Sequence, residues 1–524
     1  MNAPPQTPGR LERLYNQLAA RRSLRYAAAA LSGVVLAVAF PPYNFLPAIV
    51  AYSALLVLLQ AGESVAKRPF LARFWTGAAF GFGFHLMGLW WIGAAFLVDA
   101  DRYAALLPFA VIGLPLLLAS FTGLATLLIG VAPHSFAWRG LALALTVSFT
   151  EWLRSFVLTG FPWNAAGVGV TQSSLMSQSA AVVGVNGLAF VVVLFGALPA
   201  ALAERRSRWL AAPVGIILAA MTTFGILRLL TEPPSQPDAL RVRVVQPSVP
   251  QHLKWDPVHR DTIWRRLLTL SDNGNRDGPA DVVVWPETAV PFLYRTPSIA
   301  QRELAAVLMP ATMLITGAAE VTQTATGPRT FNTVLVLNPS GDLVARYDKS
   351  HLVPFGEYVP FAELLSALGF SALAAGNASF VAGPEPQTIS VPELPPFQPL
   401  VCYEVIFPHL RSEDPARWIV NVTNDAWFGV TPGPRQHLRH SRLRAVERGL
   451  PVVRAANTGI SAIIDASGRV VARLPLNREG AITAPLPPPR FAPYGVWGDI
   501  PLYALWFIGG FVIFTSRWLT RRYQ

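Results

Sequence analysis

Three residues in the second half of the chain are of the types that acyl transfer through a thiol needs: Glu287 in "DVVVWPETAVP", Lys349 just after "VLVLNPSGDLVARYD", and Cys402 in "LVCYEVIFP". Cys402 is the only cysteine in 524 residues, so it has no partner in the chain for a disulfide and is either a small buried hydrophobe or a nucleophile. A free thiol titrates near about 8.5, leaving only a few per cent thiolate at neutral pH. A carboxylate within hydrogen-bond reach can take that proton if burial lifts its own pKa toward neutrality. A lysine ammonium can then face the oxyanion of a tetrahedral intermediate. Singly, each residue is weak: a Glu after Pro is ordinarily a solvated loop carboxylate, and a Lys after Asp ordinarily lies on the surface. Their joint occurrence with the only cysteine is what points to chemistry. No histidine is required. His437 and His440 stand on a basic stretch without flanking Cys or Asp ligands, so neither a metal nor another cofactor is expected.

Each of the three stands at or near the end of an apolar β-type run, the place where sheets build sites. Between 239 and 480, short β-rich runs are punctuated by Pro, Gly and Asn. "LRVRVVQPSVP" alternates, while "DVVVW" is a continuous apolar run suited to a strand buried on both faces. "NPSGD" and "DASGR" read as hairpin turns. Helical stretches are expected at 257–272, 298–309 and 436–449, giving a mixed sheet layered with helices. The interval carries no internal repeat, no GxGxxG and no Walker loop.

The composition places this domain beside a membrane. The chain is 52% hydrophobic and 14% charged, against roughly 25% charged for a soluble domain. Apolar runs near the roughly 20 residues of a spanning helix fall at about 24–41, 45–62, 73–98, 104–132, 139–158, 179–203, 209–230 and 498–516. The expectation is eight transmembrane helices: a cytoplasmic segment 1–23, a seven-span membrane domain 24–230, a polar domain 231–497, and a last span with its tail at 498–524. The run at 139–158 is the weakest, with Glu151 and Arg154 near its end. The first run lacks a small-residue cleavage site and is expected to be an anchor rather than a signal peptide. Lys67, Arg68, Arg73, Arg139, Arg205, Arg206 and Arg208 share one set of short loops with the arginines near both termini, against Arg102 and Arg154 on the other. By the positive-inside rule both termini are cytoplasmic and 231–497 faces outward. The net charge of +12 is explained by these flanking arginines, so a nucleic-acid partner is not expected.

Glu, Lys and Cys in this order, on "WPET", "YDKSHLVPFGEYVP" and "CYE", resemble the carbon–nitrogen hydrolase (nitrilase) superfamily. Eight spans with this domain before the last, together with "EWLRSFVLTGFPW" and "NDAWFG", are similar to the bacterial apolipoprotein N-acyltransferases. The resemblance implies an αββα sandwich on a membrane domain, in a bacterial inner membrane with the catalytic domain periplasmic. It implies ping-pong acyl transfer from a membrane phospholipid, through a thioester, to the amine of a diacylglyceryl-apolipoprotein. Glu287 would be the base, Lys349 the oxyanion donor and Cys402 the nucleophile. Glu357 would be a second carboxylate near them, Tyr403 and Glu404 would flank the nucleophile, and Trp255 and Trp427 would line the lipid entry or simply pack.

One further segment, "FAELLSALGFSALAAG", places Phe361, Leu364, Leu365 and Leu368 on one helical stripe. That stripe suits either a helix packed on the domain core or an amphipathic lid in the lipid interface. Two rival functions share parts of this pattern. A membrane-anchored amidase acting on a small soluble substrate would use the same triad without needing seven preceding spans. A transporter or receptor would carry more ionisable groups within its spans.

Overall fold

The computed structural model describes residues 10–231, 238–272, 278–324, 327–361, 363 and 380–522. The stripe residues Leu364, Leu365 and Leu368 lie outside them. The chain divides into two compact units: residues 1–96, 101–227 and 497–524 form one, and residues 97–100 and 228–496 the other.

Among the described residues, six helices are long and apolar enough to cross a membrane: Leu46–Val65, Pro69–Leu97, Ala104–Val131, Ala180–Ala203, Arg205–Leu230 and Ile500–Leu519. The other two expected spans are helical but fall short of that standard. Arg22–Ala37 has only 16 residues and buries Arg25, which donates to the carbonyls of Leu18 and Ala19. Phe136–Arg154 buries Arg139, Glu151 and Arg154, charges that an apolar span excludes unless they are paired. Arg139 is paired with Glu63 at 2.5 Å. Helices in this unit approach closely through small residues, as membrane helices do: a Cβ at Gly33 would stand 1.9 Å from the carbonyl oxygen of Phe80, and one at Gly83 equally close to that of Ala30.

The motif around Glu151 has a backbone purpose. The stretch after Phe136–Arg154 leaves helical geometry, with Leu158 and Asn164 at positive φ, and frees polar backbone groups that an apolar environment cannot satisfy. Arg154 donates to the carbonyls of Phe161 and Trp163 at 2.9 and 2.8 Å, and Glu151 accepts from the amide of Ala166 at 2.9 Å.

The second unit is two six-stranded sheets. The first contains β1 (Arg241–Gln246), β2 (Val282–Val284), β3 (Met313–Thr324), β4 (Gly327–Leu337) and β5 (Leu343–Asp348). The second contains β6 (Ile389–Val391), β7 (Leu394–Val401), β8 (Trp418–Thr423), β9 (Val452–Ala456), β10 (Ser461–Ile464) and β11 (Val470–Leu474). The last strand, β12 (Gly480–Pro485), returns to pair with β1, so the orders are β12-β1-β2-β3-β4-β5 and β11-β10-β9-β8-β7-β6. β1-β2-β3 in one sheet and β7-β8-β9 in the other run parallel, while β3-β4-β5 run antiparallel.

The facing sheets bury Val242, Val282, Val284 and Ile315 against Phe397, Val401, Trp418 and Val420. That double burial explains the unbroken apolar runs. Helices Arg260–Ser271 and Ile299–Val307 cover the outer face of the first sheet through Ile263, Trp264, Leu267 and Leu304. Helix Gly433–Arg448 packs on the second sheet. The layers are helix, sheet, sheet, helix. Both expected hairpins form, each capped by its own side chain: Asn338 accepts from the amides of Ser340 and Asp342, and Asp465 from those of Ser467 and Arg469.

Candidate active site

Glu287 is carried by the turn that follows β2. Trp285 anchors the start of that turn by donating to Ser271 Oγ at 2.7 Å. On one side the turn is laid directly on β3: the amide of Gly317 donates to the Pro286 carbonyl, and the Ala289 amide to the Gly317 carbonyl. A Cβ at Gly317 would stand 2.5 Å from the Cα of Glu287, so only glycine allows this approach. Thr288 sits at φ +43°, a conformation costly for a β-branched residue and sustained only when its surroundings hold it.

Lys349 follows β5, and its amide donates to the Asn332 carbonyl on β4 at 2.9 Å. Its Nζ lies 2.9 Å from Glu357 Oε2, 3.0 Å from Glu357 Oε1 and 3.8 Å from Glu287 Oε1. Asn332 Nδ2 bridges the two carboxylates, 2.8 Å from Glu287 Oε1 and 2.7 Å from Glu357 Oε1. Burial alone would lower the lysine's pKa, but the Glu357 and Glu287 carboxylates overcome it and hold the ammonium above its ordinary range. Lys349 is therefore a permanent cation, unable to serve as a base and suited to stabilising an oxyanion.

Cys402 follows β7, at φ +50°, and opens the short 3-10 turn Cys402–Ile406. Burial, reinforced by the Glu287 charge, pushes its thiol up to about 12, against the opposing pull of Lys349. At rest it is a protonated thiol, and it could act as a nucleophile only with proton removal coupled to the attack. Its carbonyl accepts from His437 Nε2 at 3.0 Å, and His437 Nδ1 rests 2.7 Å from Asp425 Oδ1. Arg454 closes this buried support by donating to Asp425 Oδ2 at 2.7 Å.

Glu404 joins the two halves of the site. One oxygen accepts from the Val401 amide at 2.7 Å, beside Cys402. The other accepts from Tyr347 OH, the Ser350 amide and hydroxyl, and the His351 amide, all at 2.9–3.0 Å. It is a latch between the Cys402 turn and the Lys349 loop. Tyr403 is buried against His351 and Phe407. Trp255 and Trp427 remain 50% and 40% exposed.

The sequence-expected Glu287, Lys349 and Glu357 thus form one hydrogen-bonded cluster, within electrostatic reach of Cys402. Sequence reasoning missed Asn332, Lys254, Asp425 and Arg454, and gave His437 no role. Asn332 did leave a signal, because an amide inside the apolar strand "TFNTVLVL" must find partners. Lys254, in the polar "HLKWD", reads as an ordinary surface lysine. Among the described residues no group of His, Cys, Asp and Glu is arranged to hold a metal ion.

Comparison with known proteins adds identity to this geometry. The carbon–nitrogen hydrolase family matches residues 241–495, and the N-terminal domain of apolipoprotein N-acyltransferases matches residues 32–198. The apolipoprotein N-acyltransferase of Rhodopseudomonas palustris is 39% identical over 500 residues, covering 92% of this chain and 93% of its own. That of Allorhizobium ampelinum is 42% identical over 489 residues, covering 90% and 92%. A solved amidase of the nitrilase superfamily from Nesterenkonia covers 52% of this chain and 98% of its own at 21% identity, with a TM-score of 0.35.

Proposed function

The chain belongs to the apolipoprotein N-acyltransferase family, and from that premise we propose that it moves a fatty acyl group from a membrane phospholipid to an apolipoprotein, with Cys402 carrying the group between them. In the first half-reaction Glu287 takes the thiol proton as Sγ attacks the ester carbonyl. The oxyanion forms beside Lys349. The C–O bond then breaks, the departing lysophospholipid alkoxide receives the proton from Glu287, and a thioester remains on Cys402. In the second, the α-amine of an N-terminal S-diacylglyceryl-cysteine attacks the thioester and Glu287 accepts its proton. The C–S bond breaks and Cys402 leaves as a thiolate, regaining the proton. The kinetics are ping-pong.

The observation that carries this reading is the Glu287–Asn332–Glu357–Lys349 cluster around the only thiol. Glu357 compensates the lysine charge, which leaves Glu287 free to shuttle a proton. The relatives' names favour transfer over the amidase alternative, and excluding water from the thioester is what separates the two outcomes. Trp255 and Trp427, half-exposed beside site residues, supply apolar contact for entering chains, and each methylene kept out of water is worth about 0.8 kcal/mol.

Eight spans complete the membrane domain if Arg22–Ala37 and Phe136–Arg154 join the six apolar helices, with boundaries near 24–230 and 498–524. The arginine-rich short loops support cytoplasmic termini and a periplasmic catalytic domain in the inner membrane. The test is purified protein in phospholipid vesicles with a synthetic S-diacylglyceryl-cysteinyl peptide. Formation of the N-acyl amide by the parent, and none by Cys402→Ala, is the expected result. Fatty acid release without amide would reveal a hydrolase instead.

A further inference from the structure

Lys254 is a cation at the site that the mechanism above does not use. It is buried, only 4% exposed, in the loop between β1 and helix Arg260–Ser271. An isolated lysine at this depth is costly unless its charge does something. Its Nζ donates to the Glu287 carbonyl at 2.9 Å and to Thr288 Oγ1 at 2.6 Å. Both acceptors belong to the turn that presents the base, and that turn includes the positive-φ Thr288. Gly317 and β3 press on the same turn. The turn is therefore gripped by the β3 backbone and by an ammonium.

From this geometry we infer that Lys254 is a further positioning residue for acyl transfer: it locks the Glu287–Thr288 turn so that the carboxylate stays aimed at the thiol, and its charge offsets the negative charge that develops there. The inference rests on the reading of Glu287 as the base. Two bonds occupy two of the three ammonium hydrogens, so the group cannot swing away without releasing one of the turn's two anchors. Burial lowers its pKa to about 8, against the supporting charge of Glu287, so at neutral pH it remains mainly a cation. Because Trp255 follows directly, the residue at the mouth and the residue that orients the base are adjacent in the chain. A loss confined to lipid affinity would therefore point to the mouth, and a loss in the chemical step to the turn.

The experiment uses the full chain in phospholipid vesicles and follows acylation of Cys402 by intact mass, as a function of phospholipid, in Lys254→Met, Lys254→Arg, Glu287→Gln and the Lys254→Met/Glu287→Gln double variant. Lys254→Met is expected to lower the limiting acylation rate about 100-fold, the loss a 1 Å misplacement produces. The half-saturating phospholipid should change less than about two-fold, because ground-state binding is untouched. Lys254→Arg should recover part of the rate. In the Glu287→Gln background the methionine should cost little more, since the base it would misplace is already gone. Full activity in Lys254→Met beside an inactive Glu287→Gln overturns this inference alone, as does a loss confined to half-saturation, or fully additive losses. A fully active Glu287→Gln overturns the assignment of the base, and this inference with it.

Discussion

At the scale of single residues, the site is a balance of buried charges. Glu357 and Lys349 neutralise one another, and Asn332 holds both carboxylates without adding charge. The thiol, raised to about 12, cannot be a standing thiolate, so a base must act during attack. Glu287→Gln is accordingly expected to slow alkylation of Cys402 by iodoacetamide about ten-fold at pH 7.5: a lost general base costs roughly 100-fold or more, partly offset because the Glu287 charge that raises the thiol is lost with it. An unchanged alkylation rate would remove Glu287 from that role. Asp425 makes a different prediction. Burial would raise its carboxyl, but Arg454 and His437 hold it down to about 2, below its ordinary 3.8. A depressed carboxyl stabilises the fold above the unfolded value and loses that contribution as pH falls through the folded one. The window thus lies between about pH 4 and pH 2, and the contribution is on the order of 2 kcal/mol. Asp425→Asn should lose this acid-dependent part of the stability curve, which thermal unfolding from pH 7 down to pH 2 would read.

At the scale of elements, the ends of strands do the placing. β2 delivers Glu287, β7 delivers Cys402, and the β4–β5 hairpin delivers Lys349. Glu404 latches the last two together. Two substitutions separate the latch from the docking of the base. Glu404→Gln replaces an oxygen acceptor by a donor at a fully buried junction, so it should cost about 2–3 kcal/mol of stability, seen as a lower Tm of the solubilised chain. Gly317→Ala should instead leave Tm less affected and cut acylation about 10- to 100-fold by displacing the Glu287 turn. Equal activity in the parent and Gly317→Ala would show that the close approach is not needed.

This scale is also where the sequence was most legible. The apolar runs ending in Glu287 and Cys402 are strands because both faces are buried, and "NPSGD" and "DASGR" are turns because Asn338 and Asp465 cap them. The helices are displaced by only a few residues from their expected ranges. What sequence could not show is which polar residues turn inward. Lys254 and Arg454 are buried by contacts from distant segments, and periodicity carries no record of such partners; for Asn332 the sequence marked the need for a partner but not which one. For the same reason the run at 139–158 looks like a marginal span, while in the fold its Glu151 and Arg154 satisfy the backbone of residues 161–166.

At the scale of the whole molecule, the proposed orientation puts the catalytic domain on the outer side of the membrane. The charges on the short loops predict a simple asymmetry. In a Cys402→Ala background, a cysteine at Ser340, exposed on the β4–β5 hairpin, should label with an impermeant maleimide in intact spheroplasts. One at Arg205, exposed between two apolar helices, should label only after lysis. The reverse pattern would place the catalytic domain in the cytosol and separate it from its acceptor.

The central claim is that Cys402 holds the acyl group between donor and acceptor, and it is tested most directly by intact-mass spectrometry of the chain purified from membranes. The account predicts a mass increase of one fatty acyl chain, located on the peptide that contains Cys402. Hydroxylamine should remove it, and so should a diacylglyceryl-cysteinyl peptide, which leaves with the same acyl group as an amide. An adduct found elsewhere, or one on Cys402 that the peptide acceptor cannot discharge, would contradict it.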